Sequence, residues 1–170
     1  MKLEIIFQMA AVIVACAGGW LDYKTHKIPN KLTVACMIGG IASRFILGGM
    51  EEMLAGLLGW AVGWIFIVLW ILGALKAGDI KLYMAVGAVG GWQFCLNTAI
   101  YSMIFGGITA VYLFVRRRSG MQELKHLWLY ITNLLLIRKY TKYRGGEKSY
   151  FCFGWLIGAG GAAAFFLPLF

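Results

Sequence analysis

The chain has 170 residues, of which 61% are hydrophobic and 14% charged, and its mean hydropathy is +0.78. Soluble domains run at about 45–50% apolar and about 25% charged, so a soluble globular domain is excluded and a membrane-embedded one is expected. The net charge of +9 does not point to nucleic acid, because the basic residues lie between apolar runs and no soluble basic domain carries them. They are expected to fix topology and to meet anionic lipid headgroups.

Six apolar segments follow in order, at about 4–21, 32–48, 53–75, 80–95, 97–115 and 150–169. No alternating strand pattern appears, and helices are the form that satisfies its own backbone in lipid. The expected fold is therefore all-α, a single domain over 1–170 built as a polytopic membrane bundle of six transmembrane helices. The first segment contains Ala15-Cys16-Ala17, which has the small-residue pattern of a signal-peptidase site. The basic cluster follows this run instead of preceding it, so the segment is read as a retained span. The second and fourth segments are short for the roughly 20 residues that a span needs.

Lysine and arginine give the orientation. With the N-terminus outside, 14 of the 16 basic residues fall in three inner loops, leaving only Lys2 and Arg44 outside, together with Glu4, Glu51 and Glu52. The third inner loop, 116–149, is the long one. Within it Met121–Tyr140 carries Leu124, Leu127, Trp128, Ile131, Leu134 and Leu135 at helical spacing, interrupted by charged residues. This pattern reads as an interfacial helix on the inner leaflet.

Acidic residues are few. Asp22 closes the first segment and Asp79 opens the fourth, so two spans separate them and both fall on the inner face. Singly, each has an ordinary reading: an N-cap for Asp79, a solvated interfacial acid for Asp22. Jointly they suggest a site, since carboxylates near membrane depth are costly. Gly78 is expected to give the backbone freedom to bring Asp79 close to another chain. Pro29 and Asn30 mark a stiff turn that aims the second helix. Two adjacent carboxylates share a proton, which supplies an acid and a base for activating water against an amide. The histidines, His26 and His126, lie in basic loops without a serine or cysteine partner and are read as loop residues. The cysteines at 16, 36, 95 and 152 form no metal or redox motif, and neither a metal nor a cofactor is expected.

At these residues the sequence resembles the bacterial type IV prepilin peptidases, within the Gly-x-Gly-Asp membrane aspartic proteases. Its size is similar to the branch that serves tight-adherence (Flp-type) pili. Asp22 stands six residues before Ile28-Pro29-Asn30, which Leu32-Thr33 follow, and Ala77-Gly78-Asp79-Ile80-Lys81-Leu82 resembles the second motif of the family. Ser149–Gly158, with Phe153-Gly154, is similar to the closing segment. Lys76 departs from the pattern, standing where the first glycine of the second motif belongs. The resemblance implies an endopeptidase with Asp22 and Asp79 as catalytic residues and Gly78, Lys81, Pro29 and Asn30 in support. It acts without a cofactor in the bacterial inner membrane. The implied substrate is a prepilin with a short basic leader and an apolar helix, cut on the cytoplasmic side. Larger members carry a cytoplasmic segment with paired cysteines and also methylate the new N-terminus; this chain lacks that segment, so methylation is not expected. Two other classes fit the acids: an ion- or proton-coupled transporter, and a noncatalytic scaffold for pilus assembly.

Overall fold

A computed structural model of the protein describes residues 2–25, 28–72, 75–116 and 153–169, and among these every regular element is a helix. In chain order they are α1 (Lys2–Thr25), α2 (Asn30–Ile65), α3 (Ile67–Ile71), α4 (Ala77–Gly90), α5 (Trp92–Arg116) and α6 (Phe153–Phe166). The chain divides into two compact units, 1–106 with 151–170 and 107–150. Of the second, only the last turns of α5 are described. The interfacial helix expected over 121–140 lies outside the described residues, as do His26 and His126.

Three stretches are long and apolar enough to cross a membrane: Leu3–Thr25, Asn30–Ile71 and Trp92–Tyr112. The helix Phe153–Phe166 is apolar but shorter. Large apolar side chains such as Ile13, Ile38, Ile46, Ile65 and Trp70 point outward, while Asp22, Thr33, Arg44, Asp79 and Ser102 are buried. This inversion of the soluble pattern is what a lipid-facing bundle requires.

The 42-residue stretch is not one straight rod. Gly49 sits at φ 73 and ψ −159, a conformation that glycine alone adopts freely, and it interrupts α2. The two arms that result both pack on α4, in opposite senses. Gly40 and Arg44 of the first arm meet Val89, whereas Gly56, Gly59 and Gly63 of the second meet Ala88, Gly87 and Met84 in turn. The chain therefore doubles back at Gly49, and the segments expected at 32–48 and 53–75 are the two arms with α3. Gly59 and Gly87 press backbone to backbone so closely that a Cβ on either would overlap the other's carbonyl.

Helix α4 is the axis of the bundle. Of its residues from Asp79 onward, all but Lys81 are buried, as a helix surrounded on every side requires. It is also short: 14 residues rise about 21 Å, against about 30 Å of hydrocarbon in a bilayer. Gly91, at φ 87, ends it, and α5 begins at Trp92. The boundary expected near residue 96 thus falls five residues earlier, because a single glycine in a left-handed conformation is enough to turn the chain. Asn97, in the second turn of α5, is buried. Helix α5 returns along α4, with Cys95 bonded to the Tyr83 carbonyl and Ser102 Oγ to the Tyr83 hydroxyl. Helix α6 packs along α1, with Gly154 against Asp22 and Gly158 against Ala15 and Cys16.

Candidate active site

The C-terminal end of α1, the start of α2, the start of α4 and the start of α6 meet at one end of the bundle. Helix α1 runs past the segment boundary read at residue 21 and carries Asp22 into its last turn, where the side chain is 2% exposed. Asp22 Oδ2 accepts a hydrogen bond from the Gly154 backbone N–H at 3.1 Å. Gly154 lies in the first turn of α6, where backbone donors have no partner within their own helix. The contact requires glycine: a Cβ on residue 154 would stand 2.7 Å from the Cβ of Asp22.

Asp79 is the third residue of α4 and is 1% exposed. Its Oδ2 accepts the Lys76 backbone N–H at 3.0 Å, and its own N–H donates to the Lys76 carbonyl at the same distance. This reciprocal pair fixes the helix start. The N-cap position belongs to Lys76, in extended conformation, and Asp79 reaches back to it from the first turn. The capping role expected of Asp79 is therefore real in a modified form, and it leaves the other carboxylate oxygen uncommitted among the described residues.

Both aspartates line one cavity of about 420 Å³, within the roughly 300–1,000 Å³ of ordinary ligand sites. Lys76 and Lys81 line it too, as do Pro29 and Asn30 at the start of α2. Pro29 holds φ −66 and ψ 129 and so turns the incoming chain into the helix. Lys81 Nζ donates to Asn30 Oδ1 at 2.9 Å, tying α4 to α2 across the rim. Ile28 and Gly78 complete the wall. All six residues singled out from the sequence thus meet at one place.

Gly78 differs from its expected part. It is not at positive φ, and an added Cβ would meet only Ile28, at 3.6 Å, an ordinary contact. No close approach of another chain depends on it. The glycine that does permit one is Gly154, which the sequence placed in the closing segment without a part in the site. The signal was the aromatic-glycine step at the head of an apolar run, which marks where a neighbouring helix presses on the backbone.

Among the described residues, no three His, Cys, Asp or Glu side chains converge to hold a metal ion. What the cavity offers is a pair of acids on separate helices. If one is protonated and the other ionised, they supply a general acid and a general base to whatever enters.

The family model for the type IV leader peptidase family matches residues 9–111, the stretch that contains both aspartates. A prepilin leader peptidase/N-methyltransferase of Dickeya chrysanthemi is 31% identical over 122 residues, covering 66% of this chain and 41% of that protein. Proteins of the same name from Burkholderia pseudomallei and Pseudomonas putida are 24% identical over 125 residues and 36% identical over 62 residues. These alignments cover 69% and 36% of this chain, and 40% and 22% of those proteins. The chain thus spans about two fifths of the length of its longer-matching relatives. No solved structure matches it.

Proposed function

The chain belongs to the type IV leader peptidase family, and from that premise we propose that it is a membrane aspartic endopeptidase that removes the leader peptide from prepilins, with Asp22 and Asp79 as its catalytic residues. The observation that carries the proposal is the shared cavity. Two buried aspartates, brought from α1 and α4 with a helical hairpin between them in sequence, line the same space.

In the proposed reaction the ionised carboxylate takes a proton from a water molecule, whose oxygen attacks the carbonyl carbon of the scissile amide. The protonated carboxylate gives its proton to the carbonyl oxygen. The resulting tetrahedral centre collapses: one of its hydroxyls returns a proton to the ionised carboxylate, the C–N bond breaks, and the leaving amine takes up the proton held by the other. Gly154 and the Lys76 backbone hold one oxygen of each carboxylate, which leaves the other for the reaction. Lys81 and Asn30 support the rim, and Pro29 aims α2.

The wider setting is part of the same proposal. The distribution of lysine and arginine supports six spans with the N-terminus outside and a single membrane-embedded peptidase domain in the inner membrane. It also supports an interfacial segment within 116–149 that touches anionic lipid. The cavity then opens to the cytoplasm, where a prepilin leader is accessible. A prepilin of the Flp type is the substrate in this proposal.

The test is cleavage of a co-expressed prepilin by Asp22→Asn and Asp79→Asn enzymes whose membrane insertion has been verified. Each substitution is expected to lower cleavage by about 10²–10⁴-fold, the usual contribution of a positioned acid or base. Leader removal at the parental rate in either variant sinks the proposal.

A further inference from the structure

Two lysines stand beside the aspartates, and they are held differently. Lys81 Nζ is bonded to Asn30 Oδ1. Lys76 is exposed, and among the described residues no hydrogen bond or ion pair holds its Nζ; its backbone is bonded to Asp79, and its ammonium group acts on the Asp79 carboxylate through charge alone. The cavity therefore has one ammonium group fixed at its wall and one available to a ligand.

The charge balance of the lining favours a particular ligand. Two lysines and two aspartates line the same cavity. Carboxylates that share a proton carry one negative charge between them, so the working cavity has a net positive charge. A basic side chain entering it is repelled and an acidic one is attracted.

Geometry sets the range. Lys76 and Asp79 are three residues apart at the start of a helix, where side chains at this spacing are neighbours with Cβ atoms about 5–6 Å apart. An extended peptide advances about 3.3 Å per residue. A group held by Lys76 while the amide lies at Asp79 therefore belongs to a residue about two positions from the bond being cut.

Resting on the peptidase reading above, we propose that Lys76 is a specificity-determining residue whose ammonium group takes a side-chain carboxylate of the peptide substrate within about two residues of the scissile bond. The preferred substrate is a membrane-inserted peptide with an acidic residue at that place. The basic leader lies farther out, beyond the cavity. Lys76 occupies the position where the family's second motif has glycine, so the preference is a property of this chain.

The probe is a set of co-expressed model prepilins, each with a basic leader and an apolar helix. Glu, Gln or Lys is placed singly at the two positions on either side of the cleavage site. The parent enzyme is expected to prefer Glu over Lys at one of these positions by about fivefold, the size of a single partly exposed ion pair. Lys76→Glu is expected to reverse the preference, Lys76→Gln to flatten it and Lys76→Arg to keep it. A ratio is read in every case, so a general loss of expression does not mimic the result. The proposal is overturned if Asp22- and Asp79-dependent cleavage persists but Lys76→Glu leaves the Glu/Lys ratio unchanged; the peptidase reading then survives. It is also overturned if the Lys76 variants slow all substrates equally, and only in membranes rich in anionic lipid, since Lys76 then meets a headgroup. If the parent enzyme cleaves no member of the set, the peptidase reading fails and this proposal fails with it.

Discussion

The bundle buries charge at two ends, and the ends are built to opposite rules. At the end away from the aspartates, Arg44 is 2% exposed, yet its charge is paired. It pairs with Glu52, donates through Nε to the Val89 carbonyl at 2.8 Å, and lies 4.5 Å from the centre of the Phe7 ring. The pair joins the two arms of α2 across Gly49 and fastens them to the last turn of α4. At the other end, each aspartate accepts one backbone N–H through Oδ2 and faces a cavity. A buried charge paired with an opposite one is a structural clasp. Buried charges left half satisfied beside a void are poised for a ligand. Burial is alike at the two ends, so pairing with an opposite charge is what separates scaffold from site.

The sharpest way to break this contrast is by pH. Cleavage by the aspartate pair is expected to fall on the acid side, where both carboxylates are protonated and the base is lost. It falls again on the alkaline side, where both are ionised and the acid is lost. A bell-shaped profile of about tenfold per pH unit on each limb, measured as initial rate in detergent, is the expected result; a flat profile breaks it. Arg44→Met attacks the other end. Removing one partner of a buried ion pair costs about 3 kcal/mol, read as denaturant unfolding of the purified protein, while the rate per folded molecule stays at the parental value. Equal damage to the rate would erase the distinction between the ends.

Gly154→Ala falls between the two. The added methyl must displace Asp22, an overpacking cost of about 1–3 kcal/mol, and a carboxylate moved by about 1 Å loses about 10²-fold in rate. The diagnostic outcome is a fall in kcat larger than the fall in stability, and a parental kcat counts against Asp22 as a positioned acid. Asn30→Ala is expected to have the smallest effect. The Lys81–Asn30 bond is exposed, so its loss costs about 1 kcal/mol or less and lowers cleavage by at most about fivefold, without altering the pH profile.

Much of the site was legible in the sequence because its residues are rare types in a chain of few acids. Asp22, Asp79, Pro29, Asn30 and Lys81 stand out against apolar neighbours, and all of them line one cavity. The breaks were less legible. Gly49 and Gly91 do conformational work, but 23 glycines occur in the chain, and nothing local separates those at positive φ from those that merely let helices touch. Gly78 stands out over Gly154 for the same reason: proximity to an aspartate in sequence is visible, proximity in space is not. The pairing of Arg44 with Glu52 was hidden because it depends on a chain reversal at Gly49, which places residues eight apart side by side.

The shortness of α4 has a consequence for permeability. At about 21 Å it leaves roughly a third of a bilayer's hydrocarbon thickness to be filled by other means, and the aspartate cavity lies at its N-terminal end. In the proposed orientation water reaches the acids through that shallow recess from the cytoplasm alone. The remainder of the axis is closed by helix packed on helix and by the Arg44 clasp. On the peptidase reading, hydrolysis inside the membrane then needs no leak: the proton gradient stays insulated from a site that must itself be wet.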